Sequence, residues 1–430
     1  MINLPLSLRL AQNSKKQNIP LAKQRVSFLG NNADTFERNN LKKFPDRLNI
    51  YRVNKPKNYN FSFYGNKDLS IENKFLKKEI TLPSEIKIDN DIINKVGTLL
   101  KNDGYKNLVI IYGNSNNGKN FNEILESQFK NAKINVVITS PAYTDRSEAI
   151  EKMATMIPEF ADGIIGIGGG ITLDFARYLA HLKKVPFICI PTSISTDGAS
   201  SPIASLIKPD GTRFSFETGV PSSVIIDTNI INNIPEELAY AGIGDLISKT
   251  SAARDWYSSR KVGQGSSNCD MAFSIAQLAL NSVLRDKNPD IKDPEFLNNL
   301  TNSLLVSGFT MEIADTRRVA SGSEHLISAI MDKSPNHSLH GLQVSVATYL
   351  CTYLQDEKTH ETVKEFFKKC GFIDYMKQHP LDKDLFIDAV RKVPEYRSKE
   401  IYYSVFSMDE TVDKALNFIE NDEIMKEILK

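Results

Sequence analysis

A chain of 430 residues is long enough for two domains rather than one. Hydrophobic residues make up 41% and charged residues 24%, and the formal net charge is +1, so no global field draws the chain to nucleic acid or to a membrane surface. Cys189, Cys269, Cys351 and Cys370 form no C-x-x-C pair, which argues against a zinc knuckle or disulfide framework and for free thiols in a reducing compartment.

The N-terminal stretch MINLPLSLRLAQNSKKQ has its apolar run broken by Ser7 and Arg9, with most of its positive charge downstream. A secretory signal has the opposite order. No run approaches the roughly 20 apolar residues of a transmembrane helix, so a cytoplasmic location is expected. Residues 1–78 are rich in Asn, Lys and Arg without a sustained period, and an extension that is partly disordered is expected there.

From residue 79 the pattern becomes regular. Asp89–Asn102 has helical apolar spacing, and Asn107–Tyr112 is a short β-rich run. Phe121–Asn131 reads as a helix, Ile134–Thr139 as a strand and Arg146–Phe160 as a helix. Gly163–Ile167, Thr172–Leu182, Pro186–Ile190 and Val224–Ile226 continue the series as strand, helix, strand and strand. Strands alternating with helices predict an α/β, Rossmann-like domain with a parallel sheet over 79–228. Their continuous apolar character fits burial on both faces.

After Asp227 long helical patterns take over: Ile243–Ser258, Met271–Leu284, Pro294–Val319, Gly322–Ile330 and Leu339–Leu354. An all-helical second domain over 229–430 is therefore expected.

Two loops and one cluster carry chemistry. Gly168, Gly169 and Gly170 lie between a strand and a helix, where a close backbone approach and free helix N–H groups suit a pyrophosphate. Counted from Gly166, G-x-G-x-x-G would need glycine at Ile171, so the standard dinucleotide fingerprint is not met and a plain strand-to-helix turn fits the spacing too. Asp174, in the first turn of that helix, suits either the helix dipole or a cofactor contact. Thr192–Pro202 holds six hydroxyl residues and Asp197 after a parallel strand, at the sheet edge where ligands bind in open α/β folds, although a plain Ser/Thr-rich surface loop fits this composition too. Three of the six histidines, His325, His337 and His340, fall close together, and Asp245 opens the helical region. Two imidazoles and a carboxylate suit a divalent transition ion, although the spacing alone fits ordinary satisfied or exposed histidines as well.

Taken together, GIGGGITLDFARYLA, IPTSISTDGASSPIA, AGIGDLISKTSAARDW, ASGSEHLIS and LHG resemble, in order, the sn-glycerol-1-phosphate dehydrogenase family, within the group of iron-type alcohol dehydrogenases, glycerol dehydrogenase and dehydroquinate synthase. The resemblance spans about residues 79–350 and implies a metal-dependent dehydrogenase with its active site between the two domains. It implies that Gly168, Gly169, Gly170, Ile171, Thr172, Asp174, Thr192, Ser193, Ser195 and Ser201 contact NAD or NADP. Asp245, His325 and His340 would hold one divalent ion, zinc first, with nickel or iron as alternatives. Asp197, Asp245 and Lys249 would act on a small phosphorylated ketone or alcohol, in a homo-oligomer that binds neither nucleic acid nor membrane; Lys249 and Arg318 are candidate phosphate partners or, equally, solvated helix charges. The expected reaction interconverts dihydroxyacetone phosphate and sn-glycerol 1-phosphate. The chain departs from the family pattern at Val319 and, more consequentially, at Ala329, where a substrate-contacting histidine is usual. That change keeps a dehydrogenase of another polyol or hydroxy-phosphate in view. A dehydroquinate-synthase-like cyclase is the further alternative, against which the STDG segment argues. Thr139-Ser140-Pro141, closing the second strand, offers neither an acid for the ribose nor an arginine for a 2′-phosphate, so NAD and NADP both stay open.

Overall fold

Strands β2 (Asn107–Gly113), β4 (Gly163–Gly168), β5 (Phe187–Pro191) and β8 (Ser223–Asp227) are apolar almost without interruption because both of their faces are covered. They form the middle of a six-stranded, all-parallel sheet of order β1-β8-β5-β4-β2-β3, with β1 (Glu85–Asp89) and β3 (Asn135–Ala142) at the edges. The computed structural model describes residues 80–263, 270–400, 403–408 and 410–430. The extension expected over 1–78 lies outside the described residues.

Side chains alternate across the sheet, as the strand period of two requires. Val109, Ile111, Ile164, Cys189, Val224 and Ile226 belong to one core, which continues into helices α3 (Ser147–Met156) and α4 (Gly170–Lys183) and onward into the helical region. Leu108, Ile110, Ile165, Ile167, Ile188 and Ile190 face the other way, against Val96 and Leu100 of α1 (Val96–Asn102) and Leu125 and Phe129 of α2 (Asn116–Ala132). The sheet is thus wrapped on both faces.

Two departures from the expected elements have plain causes. The helical spacing expected over Asp89–Asn102 is realised only from Ile92, as a 3₁₀ turn running into α1, and Glu85–Asp89 before it is a strand. At the sheet edge its Ile86 and Ile88 alternate with charged residues and remain exposed, so the apolar run seen in the inner strands is missing. The second departure is an antiparallel hairpin, β6 (Ile203–Ile207) and β7 (Arg213–Glu217), between β5 and β8. Pro209-Asp210-Gly211 makes its turn, with Gly211 at φ +84°.

Beyond Asp227 no further multi-residue strand occurs among the described residues. The region is built from α5 (Glu236–Ile247), α6 (Lys249–Lys261), α7 (Asp270–Leu284), α8 (Pro294–Ala314), α9 (Ser323–Met331) and α10 (His340–Gln355), followed by shorter elements to the C-terminus. The single helix expected over Ile243–Ser258 is two helices meeting at Ser248. Among the described residues no helix is long and apolar enough to cross a membrane.

One crossing positions the site. A Cβ on Gly244 of α5 would lie 1.7 Å from Ser345 Oγ and 2.3 Å from the Gly341 carbonyl of α10, and one on Gly341 would lie 2.1 Å from the Ala241 carbonyl. Both side-chain-free positions are needed for these backbones to approach so closely. Each glycine adjoins a candidate ligand, Asp245 on α5 and His340 at the start of α10.

Candidate active site

Asp245, His325 on α9 and His340 each offer one donor atom, and the three atoms lie within 4.8 Å of one another. The two imidazole rings meet edge-on, with centroids 5.1 Å apart. His325 Nε2 stands 3.6 Å from Asp245 Oδ1. The residues that sequence spacing left ambiguous are therefore brought to one point from three helices.

The surroundings fix each donor. Asp245, 2% exposed, accepts a hydrogen bond at Oδ2 from the Asp197 backbone N–H at 2.7 Å. Its Oδ1 is 3.0 Å from Lys249 Nζ, one helical turn on. Lys249 also pairs with Asp197 Oδ2 at 3.2 Å, and Ser307 of α8 donates to that same oxygen at 3.0 Å. His325 Nδ1 is 2.9 Å from Glu324 Oε1. His340 Nδ1 is 2.9 Å from Ser328 Oγ, which Gln343 Nε2 approaches at 3.2 Å while also donating to Asp332 at 2.7 Å. With both Nδ1 atoms engaged by the protein, Nε2 is the atom each ring offers an ion.

Electrostatics follow from burial and pairing. Burial pushes the Asp245 carboxyl up, but Lys249 and His325 outweigh it and hold it well below the usual carboxylate range. Burial and the neighbouring Asp245 charge push Asp197 up. Burial works against the Lys249 ammonium, yet the two aspartates carry the group above its ordinary value. Burial likewise disfavours charge on His325, but its contacts to Asp245 and Glu324 raise it, while burial and His325 lower His340. With neutral imidazoles, the carboxylates of Asp245, Asp197 and Glu324 outnumber the single Lys249 ammonium, which favours a cation. Two nitrogens and an oxygen are a donor set that a divalent transition ion accepts, with coordination positions left over for substrate.

The glycine loop sits at the C-terminal edge of the sheet. Gly168 ends β4 with φ +158°, and a Cβ there would collide with Thr172. Thr192 N–H donates to the Gly168 carbonyl at 3.0 Å, joining the two loops. Ser193 Oγ lies 3.4 Å from where a Gly169 Cβ would stand, whereas the space beside Gly170 is open and Ile171 is exposed. Gly168–Thr172, Thr192 and Ser193 thus lie together at this edge of the sheet, and the loop runs on through the half-buried Ser195 to Asp197 and its bond to Asp245.

Other expected residues are engaged by partners within the protein. Asp174 turns to the hairpin and accepts from Ser205 N–H at 3.1 Å. Ser201 is buried, its hydroxyl accepting from Ile203 N–H at 3.1 Å. Lys249 is fully buried on the aspartates, and Arg318 donates to the Tyr403 carbonyl at 2.7 Å. His337 is exposed and lies by Asp332 at 3.5 Å, while the half-buried Ala329 stands one turn beyond His325 on α9.

Several residues escaped sequence reasoning. Arg177 of α4, 1% exposed, donates to the carbonyls of Gly198, Ser201 and Ile203 and so clasps the second loop to the first loop's helix. Glu324, Ser328, Ser307 and Gln343 are the others. Only Glu324 carried a local signal, its place directly before His325.

This parallel sheet followed by helices, with a cation-attracting Asp-His-His cluster beside a glycine loop, defines an iron-type alcohol dehydrogenase fold. Residues 87–235 match the family described as iron-containing alcohol dehydrogenase. Among solved structures, the chain is similar to a probable glycerol dehydrogenase from Sinorhizobium meliloti (TM-score 0.63, 20% identity, covering 80% of this chain and 99% of that one). It is also similar to glycerol dehydrogenase from Schizosaccharomyces pombe (TM-score 0.59, 21% identity, 81% and 91%). Among sequences, it is 30% identical over 344 residues to glycerol-1-phosphate dehydrogenase of Thermoplasma volcanium, covering 79% of this chain and 96% of that one. It is 32% identical over 317 residues to the Metallosphaera sedula enzyme of the same name, covering 72% and 88%. The chain belongs to the glycerol-1-phosphate dehydrogenase family.

Proposed function

We propose that the chain is a metal-dependent, NAD(P)-linked dehydrogenase that interconverts dihydroxyacetone phosphate and sn-glycerol 1-phosphate. The observation that carries this reading is the convergence of Asp245, His325 and His340 one hydrogen bond away from Asp197, in the loop that follows β5. The relatives named for glycerol 1-phosphate and NAD(P)+ support the substrate and the cofactor. Zinc is the ion we assign first, because two imidazoles and a carboxylate form a borderline donor set, with iron and nickel accepted by the same ligands. Residues 79–228 would carry the cofactor and 229–430 the ion and most of the substrate contacts. A homo-oligomer working in the cytoplasm belongs to the same proposal.

Bound, the dinucleotide supplies a hydride and the ion a Lewis acid for the carbonyl oxygen. The chain's own part is positioning. Gly168, Gly169, Gly170, Ile171 and Thr172, with the N-terminus of α4, offer backbone N–H groups and open space to a pyrophosphate. Thr192, Ser193 and Ser195 would contact the cofactor from the neighbouring loop, with Ser201 and Asp174 bracing that loop and the hairpin behind it. Asp245, His325 and His340 would hold the ion. Asp197 would orient substrate hydroxyls while Lys249 counters the charge of the two aspartates and holds them in place. Such prealigned groups lower the barrier by removing the search for a reactive geometry.

A second reading, a dehydrogenase of another polyol or hydroxy-phosphate, is favoured by Ala329, which leaves no ring one turn beyond His325. Steady-state oxidation of NADH and NADPH with dihydroxyacetone phosphate, dihydroxyacetone and other small ketones separates the two. The proposal expects dihydroxyacetone phosphate to give the highest kcat/KM and sn-glycerol 1-phosphate to be the product. Preference for an unphosphorylated ketone would move the assignment to the second reading, and phosphate release without net NAD(P)H oxidation would indicate a lyase.

A further inference from the structure

The two candidate imidazole ligands are held by partners of different kinds. His340 meets a neutral hydroxyl, Ser328 Oγ, at 2.9 Å. His325 meets a carboxylate, Glu324 Oε1, also at 2.9 Å. Glu324 is fully buried, and burial of a carboxylate is costly unless a specific interaction offsets it. Its Oε1 is pinned from the other side by the Gly322 backbone N–H at 2.6 Å. Gly322 itself is wedged: a Cβ there would lie 2.8 Å from Ala252 Cα, 3.0 Å from Glu324 Oε2 and 3.1 Å from Asp255 Oδ2. The neighbouring Ser323 is fixed in turn by Asp255, which accepts from its N–H at 2.7 Å and from its hydroxyl. The carboxylate is therefore immobilised at the ring.

We infer that Glu324 is a positioning residue, which holds the His325 proton on Nδ1 and turns Nε2 toward the Asp245 side of the cluster. The inference rests on the metal reading above. An acceptor with no proton of its own selects the Nδ1–H tautomer, so the lone pair falls on Nε2, the atom 3.6 Å from Asp245 Oδ1. The negative charge behind the ring also makes Nε2 a stronger donor, which a hydroxyl behind His340 does not do to the same degree. Of the two rings, only His325 has a carboxylate in hydrogen-bond contact, since the Asp332 carboxylate behind His340 stands 4.0 Å from its Nδ1.

The test measures zinc affinity by competition with a coloured chelator, on the wild type, Glu324→Gln, His325→Ala and the double variant, together with the Tm of each in metal-free form. Glutamine keeps the size and an accepting oxygen but loses the charge. The expected result is zinc binding weakened by about 10–100-fold in Glu324→Gln, the range for loss of such an outer partner, with the metal-free Tm unchanged. Placed on His325→Ala, the second substitution should have almost no additional effect. Equal zinc affinity in wild type and Glu324→Gln would overturn the inference, as would an undiminished effect of Glu324→Gln in the His325→Ala background. A wild type that binds no zinc would overturn the metal reading itself, which keeps the two failures apart. Should Glu324→Gln not fold, ¹⁵N spectra of the zinc-loaded, histidine-labelled wild type decide: a proton on His325 Nδ1 and zinc on Nε2 supports the inference, and zinc on Nδ1 overturns it.

Discussion

At the scale of single residues, Lys249 is the charge on which the site balances. Its ammonium lies 3.2 Å from Asp197 and 3.0 Å from Asp245, with Lys249 and Asp245 buried and Asp197 partly so. Lys249→Met would leave both carboxylates without their counter-charge, and breaking a buried pair in this way costs about 3–5 kcal/mol. Urea unfolding of metal-free protein should show that loss, and added zinc should recover more stability in the variant than in the wild type. Asp174 makes a pH prediction. Burial raises its carboxyl to about 6 although Arg177, the Ser205 N–H and Arg213 favour the anion, with Asp145 adding to the rise. Because the folded value lies above the unfolded 3.8, its contribution to stability is full below pH 3.8 and is lost as the pH climbs through about 6. Asp174→Asn should therefore match the wild type near pH 4 and exceed it at pH 7 in thermal melts, and a wild type more stable than the variant at pH 7 would contradict this account. Asp245, His325 and His340 were legible because they sit in motifs with a fixed order. Ser307, Ser328 and Gln343 were not, since an ordinary polar residue on a helix acquires its partner only when another helix arrives.

At the scale of elements, the cluster depends on how closely α5 and α10 cross. A methyl at Gly341 would overlap the Ala241 carbonyl, so Gly341→Ala must push the helices apart. The expected cost is about 1–3 kcal/mol, typical of overpacking, with weaker zinc binding because His340 moves away from Asp245. Calorimetry on the metal-free and zinc-loaded protein checks both parts. Gly170 predicts the opposite division: nothing lies within 4 Å of a Cβ there, and alanine is the better helix former. Gly170→Ala should leave Tm unchanged or higher while raising KM for NAD(P)H, if the open space is where the pyrophosphate lies. An unchanged KM would place the cofactor elsewhere. Inner strands were readable from sequence because burial on two faces leaves an apolar run of four or five residues. The edge strand Glu85–Asp89 was not, since one-sided pairing lets charges alternate with its isoleucines. For the β6–β7 hairpin, Pro209-Asp210-Gly211 was a usable turn signal that the richer chemistry of Thr192–Pro202 overshadowed.

At the scale of the whole molecule, the order of the chain lays out the order of the site. The strands of the parallel sheet precede residue 228 and the three candidate ligands follow it, so the glycine loop proposed for the cofactor and the cluster proposed for the ion come from different stretches and are joined by the loop Thr192–Pro202. Arg177 holds that loop from the helix after the glycine loop and Asp245 holds it from the Asp-His-His cluster, which makes it the mechanical link between them. The broad division was legible because it follows from periodicity; the link was not, since a buried arginine on backbone carbonyls leaves no pattern in the sequence. The most direct test strips the protein with a chelator, restores one equivalent of zinc, and follows NAD(P)H oxidation with dihydroxyacetone phosphate at each stage, in the wild type and in His340→Ala. The account predicts activity lost on stripping and regained with zinc in the wild type, and not regained in the variant. Full activity in the metal-free wild type would contradict it.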